Sequence, residues 1–303
     1  MENLKTWLVG LDFTDIDQTL IAYTKELTKK IQPEKIYFVH VHPFWPDAIH
    51  VHLPKEAREP DLESLKEKMQ SAVHEEFPPS DQLDFKVFEG RPSFDLWRET
   101  YLLNIDLFIA GSKPKHKGRG IMPRKFVKKS FCSVLFVPEG ASVEMEKIWI
   151  PTDFSEYSAW AFEEAELIAG SSPNAQLICQ HVYEYPQAYY YHDFPPMDVQ
   201  KLIKEQAETS YKEFLSALKL KETKISPVYN LREHTTIAQH IQEEAEGQSA
   251  DLIIMASGGR SRLSQMFLGS TTDKLVQLEH TIPVLILKHK QRQVRFWDLL
   301  TGT

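Results

Sequence analysis

The chain contains two copies of one sequence unit, and this duplication constrains its fold more than any single motif. Asp12-Phe13-Thr14 recurs as Asp153-Phe154-Ser155, and His40-Val41 recurs as His181-Val182, in both cases 141 positions later. One offset held across that much chain indicates two copies of a single structural unit. With 303 residues, the chain allows each copy a core of its own. We place the two copies and a short tail at residues 1–140, 146–290 and 291–303.

The second copy alternates strand and helix patterns along its whole length. Its predicted strands are 148–152, 176–182, 223–230, 251–256 and 283–288, and its predicted helices are 155–169, 198–220, 235–246 and 270–280. The apolar run DLIIMA is typical of a strand covered on both faces. Strict alternation predicts an α/β fold with a parallel sheet and right-handed crossovers. The first copy repeats the pattern, with strands near 5–10, 35–41, 83–88, 106–111 and 133–137.

The composition argues against several classes of protein. Apolar residues make up 42% of the chain and the net charge is −8. These values are typical of a globular protein and argue against a general nucleic-acid binder. No long apolar run suggests a membrane span, and the N-terminus enters a strand pattern without a secretion signal. We interpret the two cysteines, Cys132 and Cys179, as reduced thiols of a cytoplasmic protein.

A loop rich in glycine and serine follows the apolar strand and leads into a helix at Gly269-Ser270. Glycines let a backbone approach a ligand closely, and the first N–H groups of a helix lack intrahelical acceptors, so this loop is suited to phosphate. Asp153 ends the first strand of the copy. In an open sheet whose first and fourth strands are neighbours, both strand ends face one crevice. We therefore expect Asp153 to accept a ribose hydroxyl there, with the backbone of Val182 beside a base.

The Asp-Phe-Ser strand end, the His-Val strand end and the glycine loop together resemble universal stress proteins of the tandem, two-domain type. The resemblance covers both copies and implies two open, Rossmann-like sheets of five parallel strands in the order 3-2-1-4-5. It also implies ATP or a related adenine nucleotide in the second copy, with no metal beyond nucleotide-associated Mg²⁺. By resemblance, the nucleotide site comprises Pro151, Thr152, Asp153, Val182, Met255, Ala256, Gly259, Gly269, Ser270 and Thr271.

The loop departs from the family signature at one position. It reads Ala256-x2-Gly259-x9-Gly269-Ser270, with alanine in place of the first glycine. A methyl group there costs little if the backbone φ is negative, and about 1 kcal/mol or more if φ is positive. Nucleotide binding in the second copy therefore depends on the backbone conformation at Ala256.

The first copy has a damaged form of this loop. Gly111 and Gly120 are nine positions apart, where the family pattern has thirteen, and Ile121 replaces the hydroxyl residue. Asp12 remains but lacks a phosphate partner. The short loop is basic and could retain some affinity for anions, yet we interpret the first copy as a degenerate unit kept for structure.

Several of these residues also have a plainer interpretation. Asp153 could cap a helix. Two H-x-H pairs could bind zinc, although His40 matches His181 in the repeat, which favours a structural role. These pairs are His40 with His42 and His50 with His52. The tyrosines at 189–191 could stack on a base or pack within a loop. Because the chain has no nucleophile elbow, CxxC pair or glycine-loop lysine, we predict no catalytic residues and at most slow hydrolysis.

Three functions remain open from the sequence. The first is a stress-linked regulatory protein that binds an adenine nucleotide in its second copy and reports to an unknown protein partner. The second is an interaction scaffold that binds no nucleotide, and the third is a slow nucleotide hydrolase. The apolar last strands, Val134–Val137 and Val284–Leu287, are edges that invite pairing. We therefore predict an intrachain pseudo-dimer, and the family resemblance adds a possible homodimer of whole chains.

Overall fold

The fold is described from a computed structural model. The structure describes residues 4–44, 61–112, 123–170, 172–186, 196–218, 220, 224–232, 235–257 and 268–288. The chain divides into two compact units, one containing Met1–Val143 and the other comprising Glu144–Lys288.

The first unit is an open parallel sheet with helices in its crossovers. Its strands are β1 (Thr6–Gly10), β2 (Lys35–Pro43), β3 (Leu83–Gly90), β4 (Leu107–Ser112) and β5 (Ser133–Pro138). Its helices are α1 (Ile16–Lys30), α2 (Leu62–His74), α3 (Pro92–Leu102) and α4 (Pro123–Lys129). The strand order is β3-β2-β1-β4-β5, with every pair parallel. The order reverses between β1 and β4, where sheets of this kind bind ligands.

The second unit repeats this architecture. Its strands are β6 (Lys147–Pro151), β7 (Gln176–Tyr183), β8 (Lys224–Leu231), β9 (Leu252–Ala256) and β10 (Val284–Leu287). Its helices are α5 (Glu156–Ala169), α6 (Pro196–Ala217), α7 (Ile237–Gly247) and α8 (Ser270–Leu275). The order β8-β7-β6-β9-β10 is again 3-2-1-4-5, with parallel pairs. The predicted α/β class and strand order are confirmed, whereas the pairing of the two copies stays a prediction.

The central strands are buried, as their apolar sequences predict. All five residues of β9 are buried, and the indole rings of Trp7 in β1 and Trp149 in β6 have no exposed surface. Each fully buried large apolar side chain stabilises the fold by about 1.5–3 kcal/mol. In the part of the chain that the structure describes, no helix has the length and apolar character needed to cross a membrane.

An aspartate before each fourth strand anchors the start of the first strand. Asp106 Oδ2 accepts hydrogen bonds from the N–H groups of Lys5 at 3.0 Å and Thr6 at 2.9 Å. In the second unit, Asp251 Oδ2 accepts from the equivalent pair of N–H groups at 3.1 and 2.8 Å. The two carboxylates thus hold the strands on either side of the order reversal in register.

The last helix of the second unit is shorter than predicted. The sequence pattern indicates a helix over 270–280, but α8 ends at Leu275. Beyond that point the N–H groups of Gln277 and Leu278 donate to carbonyls three residues back. The chain therefore tightens into turns that a repeating apolar pattern does not distinguish from helix.

The connection between the fourth and fifth strands also differs between the units. Gly111 pairs with Val137 and Ala256 pairs with Leu287, so this connection is five residues shorter in the first unit. In the described part of this connection, the helix of the first unit starts at Pro123. Proline suits the first helical position, since its fixed φ is helical and its missing N–H needs no acceptor there.

Candidate functional site

The turn after β6 holds Asp153 in a defined orientation. Asp153 Oδ1 accepts hydrogen bonds from the Ser155 N–H at 3.1 Å and from Ser158 Oγ at 2.9 Å. The same Ser158 hydroxyl accepts the Asp153 N–H at 3.2 Å. Ser155 caps α5, as predicted, so the cap role considered for Asp153 belongs to its neighbour. Asp153 is left as a half-buried carboxylate at the carboxyl end of a central strand.

A phenylalanine in the left-handed region shapes this turn in both units. Phe154 has φ 61° and Phe13 has φ 60°, a conformation that costs bulky residues about 1–2 kcal/mol. Each ring packs on a histidine of the next strand, His181 or His40, with ring centroids 4.4 Å apart. Backbone strain of this kind clusters at functional sites. Sequence reasoning gave the phenylalanine no role, although its recurrence at the 141-residue offset was an available signal.

The two histidines have the structural role that the repeat predicted. His181 Nδ1 lies 2.9 Å from the Thr152 carbonyl oxygen, and His40 Nδ1 lies 3.0 Å from that of Leu11. Burial lowers the pKa of His40, and the bond to Leu11 offsets this shift only in part. Because a carbonyl oxygen only accepts, each ring donates through Nδ1 and fixes the strand end that precedes the aspartate. The other H-x-H pair, His50 and His52, lies outside the described residues.

The two turns differ five residues after the aspartate. The second unit has Ser158 there, whereas the first has Asp17, which is only 9% exposed. The Asp17 carboxylate accepts the N–H groups of Asp12 at 3.1 Å and Phe13 at 2.7 Å. The first turn thus holds two carboxylates close together, where the second holds one carboxylate and a hydroxyl donor. The extra negative charge makes the first crevice the less favourable place for a phosphate.

The hydrogen-bonded ladder between the two central strands is shorter in the second unit. In the first unit β1 pairs with β4 over four residues, as far as Gly10 opposite Ala110. In the second unit β6 pairs with β9 over only two residues, and the ladder stops at Trp149 opposite Ile253. Both strands continue beyond that point without ladder hydrogen bonds between them, toward the end of the sheet at which Asp153 lies.

A proline explains the shorter ladder. Pro151 occupies the position equivalent to Gly10 of the first unit. The Thr152 N–H donates to Gln180 in β7 at 2.8 Å. Because successive N–H groups of a strand point to opposite edges, the Pro151 nitrogen faces β9, and it has no hydrogen to donate. The ladder between β6 and β9 therefore lacks a donor at the point where it ends. The replacement of glycine by proline was visible in the sequence.

In the first unit, the protein's own side chains close the equivalent crevice. Ile16 packs over Gly111 so closely that a Cβ on that glycine would lie 2.7 Å from Ile16 Cδ1. The remaining cavity offers about 10 Å³ to the centre of a water molecule, which is at the lower limit for holding one water. It is lined by Gly10, Asp12, Ile16, Asp17, Leu20, Leu96, Phe108, Ala110 and Gly111.

The described members of the predicted site lie at one edge of the second sheet and at the start of α8. Pro151, Val182, Met255 and Ala256 lie in strands, and Thr152 follows β6 directly. The Gly269 N–H donates to the Ser257 carbonyl at 3.2 Å, which ties the start of α8 to the end of β9. Ser270 and Thr271 form the first turn of that helix, whose N–H groups lack intrahelical acceptors.

Four further predicted features lie outside the described residues. They are Gly259 with the rest of the loop at 258–267, the basic loop of the first copy at 113–122, the tyrosines at 189–191 and the tail at 291–303.

The backbone accommodates alanine at position 256. Among the described non-glycine residues, positive φ occurs at Phe13, Asn104, Phe154 and Ser249, and Ala256 is not one of them. Its methyl group therefore adds only the small conformational cost that is expected where φ is negative. The side chain is buried, at 9% exposure, and needs no strained backbone conformation.

Comparison with known proteins agrees with this geometry. The sequence profile of the universal stress protein family matches residues 3–138 and 144–288. A universal stress protein of Methanocaldococcus jannaschii is 29% identical over 153 residues, which span 49% of this chain and 85% of that relative.

Two solved structures share the fold over almost the whole chain. A universal stress protein from Archaeoglobus fulgidus DSM 4304 has a TM-score of 0.58 at 17% identity, covering 94% of this chain and 96% of its own. A functionally unknown protein from Pseudomonas aeruginosa PAO1 has a TM-score of 0.64 at 11% identity, covering 99% and 98%. At these identities the likeness establishes the fold and nothing about a ligand.

Proposed function

The chain belongs to the universal stress protein family, and we propose that it binds ATP or a related adenine nucleotide in its second unit. The observation that carries the proposal is the early end of the β6–β9 ladder at Trp149 and Ile253, which leaves the last residues of both strands without ladder hydrogen bonds to each other, next to Asp153. Open parallel sheets bind their ligands at such an order reversal, because the loops on either side diverge and leave a crevice. Asp153 follows one of these strands, and the segment leading to Gly269 follows the other.

Each part of the proposed site has a matching chemical role. The Asp153 carboxylate accepts a hydrogen bond from a ribose hydroxyl, and the backbone of Val182 lies beside the base. The N–H groups and hydroxyls of Ser270 and Thr271 donate to phosphate oxygens. Mg²⁺ would arrive with the phosphates, since it usually keeps several waters and substrate oxygens as ligands.

The first unit serves as an internal comparison for this proposal. It keeps the aspartate and the strained phenylalanine, yet Ile16 covers Gly111 and Asp17 adds a second carboxylate. We therefore expect one nucleotide per chain.

Equilibrium dialysis with radiolabelled ATP tests the proposal, with matched variants in the two units. Asp153→Ala removes a charged hydrogen-bond acceptor worth about 1.5–3 kcal/mol and should weaken binding about 10- to 150-fold. Asp12→Ala makes the same change in the closed crevice and should leave the affinity unaltered. Equal affinities in the wild type and both variants, or no binding at millimolar ATP, would refute the proposal.

A role in protein interaction is the second candidate, and one observation favours it. Helix α3 exposes large apolar side chains at three positions. Such a surface can act with or without a nucleotide in the second unit. Slow nucleotide hydrolysis stays a hypothesis from the sequence.

A further inference from the structure

Helix α3 of the first unit carries an exposed aromatic surface. Within the described residues six large apolar side chains are strongly exposed, and three of them lie on α3. These are Phe94, Tyr101 and Leu102, at 44, 63 and 62% exposure. The Trp97 ring lies 5.9 Å from Phe94 and 6.4 Å from Phe131, which lies 5.8 Å from Tyr101. The four aromatic side chains form one connected surface, called the aromatic face below. Connected apolar surfaces of this kind mark interaction sites.

The second unit shows that the fold does not require this face. Helices α3 and α7 both have 11 residues, and the offset that relates them also relates β4 to β9. The α7 residues at the positions of Phe94, Trp97 and Tyr101 are Gln239, Gln242 and Glu246. Polar side chains therefore serve the same architecture at the same positions.

A hydrogen bond shared by both helices supports this alignment. Trp97 Nε1 donates to the Lys129 carbonyl at 3.0 Å, and Gln242 Nε2 donates to the Glu279 carbonyl. Each bond ties the helix to the segment that precedes the last strand of its unit. Since a glutamine makes this bond in α7, the larger apolar surface of Trp97 is not needed to anchor the helix.

The exposed charged side chains on α3 and at the end of α4 are positive. Both acids of α3, Asp95 and Glu99, are at most 7% exposed, and Arg98 lies 2.8 Å from the first and 3.7 Å from the second. The Arg91 guanidinium lies 4.7 Å from the centre of the Phe94 ring. The exposed cations on α3 and at the end of α4 are Arg91, Arg98, Lys128 and Lys129. In α7 the position of Arg98 is a glutamate.

We propose that the aromatic face docks an amphipathic helix of a partner protein, with an apolar stripe edged by aspartate or glutamate. Aromatic residues and arginine are the side chains enriched at the energetic centres of protein interfaces. The 11 residues of α3 present about 16 Å of helix, which is enough for three turns of a packed neighbour. A net charge of −8 disfavours an anionic bilayer or nucleic acid, because either meets the protein over an extended surface. A single acidic helix needs only the local cations.

The test uses the whole chain and a labelled synthetic peptide of about 18 residues, with leucine along one helical face and glutamate at its edges. Fluorescence anisotropy measures its affinity for the wild type and for the triple variant Phe94→Gln, Trp97→Gln and Tyr101→Glu. The variant introduces the residues that α7 carries, so thermal unfolding should show an intact fold. We expect a loss of affinity of about tenfold or more. Lys128→Glu with Lys129→Glu should also weaken binding and reduce its dependence on salt.

Several outcomes would overturn the proposal. One is equal affinity for a peptide with lysine at its edges, and another is no binding of the acidic peptide at millimolar concentration. Preferential sedimentation with anionic over zwitterionic vesicles, lost in the triple variant, would assign the face to lipid. A dimer that the triple variant converts to monomer would make it a self-interface. As a control, Gln239→Ala with Glu243→Ala in α7 should leave peptide binding unchanged.

Discussion

Replacing Ser158 by the aspartate that the first unit carries should weaken ATP binding while leaving the fold intact. Ser158 Oγ lies 2.9 Å from Asp153 Oδ1 and 3.2 Å from the Asp153 nitrogen. In the first unit, Asp17 fits the same position by accepting two N–H groups of the turn. Ser158→Asp can make the same bonds, so we expect the free energy of unfolding to change by no more than about 1 kcal/mol.

The effect on binding comes from charge. An added unit charge about 8 Å from a triphosphate with about three charges repels it by about 3 kcal/mol at an effective dielectric constant of about 40. Physiological salt, with a Debye length of about 8 Å, reduces this to about 1 kcal/mol. The Kd for ATP should therefore rise roughly five- to tenfold. Adenosine, which has no phosphate, should lose less affinity than ATP, because only the loss of the Ser158 hydroxyl bond to Asp153 affects it.

Isothermal titration calorimetry at two salt concentrations measures both ligands. The difference between wild type and Ser158→Asp for ATP should shrink as salt rises. An unchanged Kd for ATP at low salt, or an equal loss for adenosine, would refute the electrostatic reasoning. The reciprocal change, Asp17→Ser, should not create a second site, because Ile16 still covers Gly111.

Two further predictions concern stability. Burial lowers the pKa of His280 to about 4, opposed in part by the charge of Glu246. The unfolded chain therefore binds a proton at His280 below about pH 6.5, whereas the folded chain binds it only below about pH 4. The free energy of unfolding should fall by about 2 kcal/mol between pH 8 and pH 5. Urea unfolding of His280→Phe should lack this part of the pH dependence, and an identical slope would contradict the assignment. Asp251→Ala leaves two strand N–H groups without their acceptor and should cost about 1–3 kcal/mol in chemical denaturation, as should Asp106→Ala; a loss below about 0.5 kcal/mol would argue against the anchoring role.

The repeat and the alternating patterns were sufficient to predict the fold class, and the resemblance to the family supplied the strand order within each unit. Strand and helix patterns are local properties, and a parallel sheet follows from their alternation. The position of Asp153 at a central strand end followed in the same way. The end of α8 did not, because helical and turn hydrogen bonds share the same local apolar pattern.

The finer differences between the two crevices required contacts between distant segments. The sequence shows a proline at 151 and a glycine at 10, but only the bond from Thr152 to Gln180 reveals which neighbour lacks the donor. Likewise, the closing of the first crevice depends on Ile16 meeting Gly111 across a crossover connection. Such contacts join residues far apart in the chain, and propensity and periodicity carry no information about them.

The sequence by itself determined that this protein has two α/β units of one family, and it located the candidate nucleotide site in the second. The tertiary structure decided which crevice is filled by side chains and which central ladder ends early. It also revealed the aromatic face of α3, because a pattern of apolar residues on a helix normally indicates burial. Only the packing of α3 against its unit determines which of those side chains stay in water.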